Sequence, residues 1–295
     1  MSSPPIGVVI ATRNRADTLA RTLERLLALP EQPTVLVADN GSTDHTRTMV
    51  TERFPGVRLL PLPENRGAVA RNHGVSALRT PYIAFSDDDS WWEPGALATA
   101  AELFDQHPRL GLLAAGVRVS SEGRADPLEA VLSASPLGSA PDLPGRQVLG
   151  FLGCAAVVRR SAFLDAGGFH PVLFFGAEES LLAYDLAARG WGVTYCREVI
   201  AHHDPAPGTR TGRGALLRRN ELLTTWLRRP LPIALRRTTA LAAAARRDRE
   251  ARLALRGAFA RLPAALRYRR QLPPYVESAV RRIEDSREGA ESHAG

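Results

Sequence analysis

The stretch YIAFSDDDSWWEP, residues 82–94, runs five residues of strand character into three adjacent aspartates, Asp87, Asp88 and Asp89, and then into Trp91 and Trp92. Carboxylates this close repel. Their placement at the end of an apolar run makes sense where strands end in a ligand cleft. In open α/β sheets ligands bind outside the carboxyl ends of the strands, and a hard divalent cation such as Mg²⁺ or Mn²⁺ takes oxygen ligands. An Asp-x-Asp spacing can aim Asp87 and Asp89 at one ion and turn Asp88 elsewhere. The alternative is a solvated acidic turn that caps a helix starting near Glu93.

Outward from this stretch the chain alternates. IGVVIAT (6–12), PTVLVAD (33–39), VRLLPL (57–62) and LGLLAAGVRV (110–119) have strand length and composition. Between them, ADTLARTLERLLAL (16–29) places Leu19, Leu23, Leu26 and Leu27 on one helical face, and Ser42-Thr43-Asp44 offers a cap for a helix to about Arg53. GAVARNHGVSAL (67–78) and EPGALATAAELFDQ (93–106) read as two more helices. Strands alternating with helices predict a Rossmann-like, mostly parallel sheet with helices on both faces. The strand ends then gather Thr12-Arg13-Asn14, Asp39-Asn40 and the three aspartates at one polar edge.

Residues 120–147, rich in Pro, Gly, Ser and Ala, read as a long loop. Strand character returns at FLGCAAVVR (151–159), a short helix at 161–169, a longer one at 179–190, and a strand at 191–203 that runs into His202 and His203. Beyond Pro205 the composition changes. Residues 1–205 hold 18 Arg against 23 acidic residues, whereas 206–295 hold 20 Arg against 8. The division expected is a domain over 1–205 (nucleotide side about 1–119, acceptor side about 120–205) and an Arg-rich helical extension over 206–295, its last residues frayed. Apolar and Arg pairs alternate there, as in Leu216-Leu217-Arg218-Arg219 and Trp226-Leu227-Arg228-Arg229. That pattern suits peripheral contact with an anionic membrane face or a phosphate-bearing lipid, a solvated or dimer-forming face, or ion pairs with the acidic N-terminal part.

Two cysteines, Cys154 and Cys196, give no disulfide framework. The N-terminus lacks a basic region before its short apolar run, and no stretch has the ~18 apolar residues of a membrane span. The compartment expected is the cytoplasm, in part at the inner membrane face. Nucleic acid is not an expected partner, because the basic tail has no interleaved aromatic platform and the N-terminal part is acidic.

Asp39 ends a strand where a carboxylate can accept from a base N–H, and NRGAVARN (65–72) puts Arg66 and Arg71 at a helix start, a setting that favours anions. Neither GxGxxG nor a Walker A pattern is present. ATRNR (11–15), VADNGSTD (37–44), ENRGAVARN (64–72) and FSDDD (85–89), in this order, resemble the signature segments of family 2 glycosyltransferases, over about residues 6–203. The resemblance implies a GT-A fold, a nucleotide-sugar donor (a UDP-sugar favoured, a dTDP-sugar the alternative), Mn²⁺ or Mg²⁺, and inversion at the anomeric carbon, with a hydroxyl acceptor on a glycan, a lipid-linked sugar or a small molecule. It implies that Thr12, Arg13 and Asp39 line the nucleoside pocket, that Arg71 lies near base and diphosphate, that Asp87 and Asp88 contact the donor, and that Asp87 and Asp89 hold the metal, with His202 completing the site.

The family's base commonly stands in a Glu-Asp pair that opens a helix. FFGAEESLLAYDL (174–186) resembles it, with Glu179 where Asp is commoner. Glu179 is therefore the expected base and Glu178 the second candidate. The bland alternative is that both favour a helix N-terminus through the macrodipole. Trp91 and Trp92 either stack on a sugar or pack beside the site. A reading from a different class is a non-catalytic nucleotide- or anion-binding module using the same cleft.

Overall fold

The computed structural model describes residues 5–119, 123–205 and 212–293. In chain order the elements are β1 (Ile6–Thr12), α1 (Ala16–Leu27), β2 (Thr34–Asp39), α2 (Thr46–Arg53), β3 (Arg58–Pro61), α3 (Val69–Ala77), β4 (Tyr82–Ser86), β5 (Ser90–Trp92), α4 (Ala96–Gln106), β6 (Leu110–Val119), β7 (Arg124–Ala125), α5 (Pro127–Ser133), β8 (Arg146–Gln147), β9 (Ala156–Arg159), α6 (Arg160–Ala166), α7 (Glu178–Ala188) and β10 (Gly192–His203). Four helices follow: α8 (Arg213–Arg228), α9 (Leu231–Ala244), α10 (Arg249–Arg267) and α11 (Pro274–His293).

One sheet runs in the order β3-β2-β1-β4-β9-β6-β10-β5, with β7 on β6 and β8 on β10. Strands β3, β2, β1 and β4 are mutually parallel, as are β6 and β10. Strand β9 is inserted antiparallel between β4 and β6. Successive residues of β1 serve opposite cores. Val8 and Ile10 join Leu19, Leu23 and Leu26 of α1, while Val9 joins Val75 of α3, Leu182 and Leu186 of α7. Burial on both faces explains why the strands read as unbroken apolar runs.

The loop expected over 120–147 holds more structure than its composition suggests. Its helix α5 starts on Pro127, with Asp126 accepting from the Leu128 N–H at 2.8 Å. Strand β5 was not expected either. Trp91 and Trp92 form an antiparallel rung with His202 and Ala201 of β10.

The helical extension expected from residue 206 begins outside the described residues. From Arg213 onward the helices pack on α7. Leu223 and Leu227 of α8 meet Leu173 and Leu181 in a shared cluster, each buried Leu contributing about 1.5–3 kcal/mol. Several arginines of the basic tail are structural. Arg228 forms a two-pronged pair with Asp185 of α7 at 2.5 and 2.8 Å. Arg229, 1% exposed, binds Glu277 and Glu284 and ties α11 to the end of α8. Pairing of the tail with the acidic N-terminal part is thus realised at Asp185.

Candidate active site

The Asp turn follows β4. The Asp87 N–H donates to Ser90 Oγ at 2.7 Å, and the Ser90 N–H returns to the Asp87 carbonyl at 3.2 Å. The three carboxylates then divide, Asp87 to one partner and Asp88 and Asp89 to a shared one. Asp87 pairs with Arg71. Asp88 accepts from Thr12 Oγ1 at 2.9 Å and from Arg15 Nε at 3.1 Å. Asp89 accepts from Arg15 Nη2 at 3.1 Å and lies 3.4 Å from His203 Nε2. Burial pushes the Asp88 carboxyl up to about 6, Arg15 opposes the rise and the Asp89 charge adds to it.

The histidines divide by strand alternation. His202 stands opposite Trp91 and His203 opposite Ser90. His202 stacks on the Trp91 ring at 5.3 Å and 3°, and its Nε2 lies 3.3 Å from Glu93. His203 faces Asp89 instead. His202, the histidine expected at the metal, thus lies by Glu93 and its neighbour lies by Asp89, because adjacent residues of a strand point to opposite faces. Trp91 is sandwiched between His202 and Arg25, whose guanidinium carbon sits 3.6 Å from the ring centre. Trp92 is fully buried. Both tryptophans pack beside the site.

Beside the turn on the same edge, Thr12 and Asp39 are register partners of β1 and β2. Asp39 is buried, with Arg47 Nε at 2.5 Å and the Ser42 N–H at 3.3 Å. Asn40 donates to the Gly67 carbonyl at 3.0 Å and accepts from the Arg66 N–H at 2.6 Å, tying β2 to the start of α3. Arg13 is exposed, with Nε 3.5 Å from the Gly41 carbonyl.

Arg71 joins the two halves. It is 5% exposed. Burial disfavours its charge, but the fields of Asp87, then Glu178 and Glu179, more than offset this and raise its pKa. Glu178 and Glu179 open α7 from a turn in which Phe174, Gly176 and Ala177 have φ of 65°, 88° and 58°. Non-glycine residues in this region cost about 1–3 kcal/mol each and persist where surrounding contacts hold them. Glu178 is buried with Oε2 unpartnered, as is Arg71 Nε. Glu179 keeps partial access and packs on Gly153, where a Cβ would lie 3.1 Å from Oε1. Burial, then the Glu178 charge, raises the Glu179 carboxyl above the ordinary carboxylate range.

Residues 7–166 match the model of the glycosyl transferase family 2. The chain belongs to that family.

This family 2 glycosyltransferase is 30% identical over 237 residues to N-acetylglucosaminyl-diphospho-decaprenol L-rhamnosyltransferase of Mycobacterium tuberculosis, covering 69% of this chain and 77% of that protein. It is 32% identical over 208 residues to the pre-mycofactocin glycosyltransferase of the same species, covering 68% of this chain and 42% of that one. Its fold is shared with the mannosyltransferase PcManGT of Pyrobaculum calidifontis in complex with GDP-Man and Mn²⁺, at TM-score 0.58 and 22% identity over 90% of this chain and 76% of that one. S. aureus TarS 1–349 in complex with UDP-GlcNAc gives 0.60 and 17%, over 98% and 91%. The GT-A fold and the glycosyltransferase class implied by the signature segments therefore hold.

Sequence reasoning did not assign Arg15, Arg47 or His203 of this glycosyltransferase. Arg15 lies inside ATRNR, but its reach to Asp88 and Asp89 spans 73 and 74 residues of sequence. His203 was one of a pair, and only the register of β10 against β5 separates its members.

Proposed function

We propose that this glycosyltransferase is metal-dependent and inverting, and moves a sugar from a nucleotide-sugar donor, a UDP-sugar favoured over a dTDP-sugar, to an acceptor hydroxyl. The observation that carries the reading is Arg71, buried between Asp87 and the Glu178–Glu179 pair, so that a donor diphosphate and an acceptor hydroxyl fall on either side of one charge network. In this reading Asp39 and Thr12 hold the nucleoside, with Arg13 at its rim, and Asp87 and Asp88 border the ribose and diphosphate.

The metal donors proposed are Asp89 and His203, with Asp87 beside them. Among the described residues no three His, Cys, Asp or Glu side chains stand together as a complete metal site. A carboxylate and an imidazole 3.4 Å apart still fit Mn²⁺ or Mg²⁺, which is commonly held by one or two protein groups plus substrate phosphates and water. Bound there, the ion would neutralise charge growing on the diphosphate leaving group. Glu179 is proposed as the base. It takes the proton of the acceptor hydroxyl as that oxygen bonds the anomeric carbon, while the bond from that carbon to the diphosphate oxygen breaks on the opposite face. Attack and departure from opposite faces give inversion.

A cavity of about 810 Å³ lies beside the start of α7. Ala177 and Ser180, which flank the pair in sequence, line it together with the apolar Leu132 and Leu222 and the charged Arg237 and Glu284. That mixed lining suits an acceptor with both an apolar and a charged part. The test is nucleotide release with a panel of sugar nucleotides and Mn²⁺. Release from one UDP- or dTDP-sugar that rises on adding an acceptor is expected. Tight nucleotide binding without turnover for every donor would instead favour a binding module.

We also propose that the C-terminal helices meet an anionic membrane surface. Among the described residues no helix is long and apolar enough to cross a membrane. Leu231, Leu235, Leu253 and Phe259 are exposed among the exposed Arg236, Arg252 and Arg256. Each such cation near an anionic bilayer contributes roughly 1 kcal/mol. Co-sedimentation with anionic vesicles that falls as salt rises is expected; equal recovery in the supernatant with and without anionic lipid would refute the surface role.

A further inference from the structure

We infer that Asn220 of α8, oriented by Arg219, is a positioning residue that sets the turn presenting the Glu178–Glu179 pair. This rests on the reading that the pair supplies the base. Asn220 is a polar side chain with 0% exposure in the middle of a helix. Its Nδ2 donates to three turn carbonyls, those of Leu173 at 3.0 Å, Phe175 at 2.9 Å and Gly176 at 2.5 Å. Its Oδ1 accepts from Arg219 Nε at 2.9 Å, which fixes the amide with nitrogen toward the turn. Arg219 Nη2 also donates to the Leu173 carbonyl at 3.0 Å.

The turn needs such a hold. It has positive φ at Phe174, Gly176 and Ala177, so local preference does not select it. At Gly176 a Cβ would lie 2.2 Å from Leu216 of α8, so the helix sits directly on the turn backbone. The opposite side is fixed by the donor half. The Phe174 carbonyl accepts from the Ala68 N–H at 2.6 Å, and a Cβ on Gly67 would lie 2.1 Å from that same oxygen. The turn is thus gripped between the start of α3, two residues from Arg71, and the first C-terminal helix. Apolar contacts of Leu223 and Leu227 already anchor α8. The buried amide adds direction, because its two N–H groups gather the Phe175 and Gly176 carbonyls beside that of Leu173, which also accepts from Arg219 and from the Phe175 N–H.

The experiment uses the full chain with the donor found active and Mn²⁺. It compares Asn220→Ala, Asn220→Asp and Arg219→Met for kcat, acceptor KM, calorimetric affinity for the matching nucleoside diphosphate, and Tm. Asn220→Ala is expected to lower kcat by about 10- to 100-fold, the scale of a small misplacement of a catalytic group, with nucleotide affinity held. Asn220→Asp, the same size, is expected to lose more than Asn220→Ala, because its carboxylate faces three carbonyls. Arg219→Met, which leaves the amide in place, is expected to lose less. A kcat like that of the parent in Asn220→Ala, or parallel losses of kcat and nucleotide affinity, would overturn the inference. If the Asn220 variants do not fold, Arg219→Met decides, and an unchanged kcat at an unchanged Tm overturns it. Full turnover in both Glu178→Gln and Glu179→Gln would remove the base reading itself. Loss in either of those variants with an active Asn220→Ala removes only the positioning role.

Discussion

Glu179→Gln is expected to lower transfer by about 10²-fold or more, the scale of losing a positioned general base, with nucleotide affinity unchanged. The same substitution is expected to stabilise the fold, and only at higher pH. Burial and the neighbouring Glu178 raise the carboxyl, so the folded chain binds its proton more tightly than the unfolded chain does. A raised carboxyl contributes its stability in full below its unfolded value, and that contribution is lost as pH rises through the folded value. Glutamine carries no charge at either extreme. The Tm gain of the variant over the parent should therefore be larger at pH 8 than at pH 5. Activity has the opposite sign, because the base works deprotonated. The acid limb of kcat/KM should lie above the ordinary carboxylate range and vanish in the variant. A dead Glu178→Gln beside an active Glu179→Gln would exchange the two roles. Glu178 is raised as well, by burial and against the pull of Arg71, so the limb belongs to the pair.

Asp89→Asn is expected to lower Mn²⁺-supported turnover by about 10²-fold or more, since stabilising the leaving group's charge is worth several kcal/mol. It should also remove the Mn²⁺ dependence of nucleoside diphosphate binding, which calorimetry reads without turnover. The substitution keeps the side chain's volume. Arg15 keeps its bond to Asp88, so cooperative unfolding should persist with a small drop in Tm. Asp88→Asn gives the contrast. Asp88 accepts from Thr12 and Arg15 and ties the turn to β1, so its replacement should cost stability as well as activity. Retention of Mn²⁺-dependent turnover in Asp89→Asn would rule out the metal assignment, and His202→Ala should then be compared with His203→Ala before either histidine is placed at an ion.

The alternation of apolar runs with amphipathic helices dictated the parallel sheet by itself, because a strand buried on both faces must be apolar throughout and a surface helix must not be. The order of the polar segments ATRNR, VADNG, ENRGAVARN and FSDDD gathered them along one edge, since parallel strands deliver their carboxyl ends to one side of the sheet. Those are local properties, legible in one dimension. Three things are not local. Strand β9 enters the sheet antiparallel, and its sequence AVVR does not encode a direction. The choice between His202 and His203 is made by the pairing of β10 with β5, where Ser90 rather than Trp91 stands opposite the histidine facing Asp89. The sequence left open whether the tail's arginines form a basic surface or ion pairs, and tertiary packing sets Arg228 on Asp185, Arg229 on Glu277 and Glu284, and Arg219 on the turn below the glutamate pair. A charge has the same formal value anywhere in a sequence. What it does depends on which carboxylate or carbonyl the fold brings within about 3 Å of it, and that was decided only when α8 settled on α7.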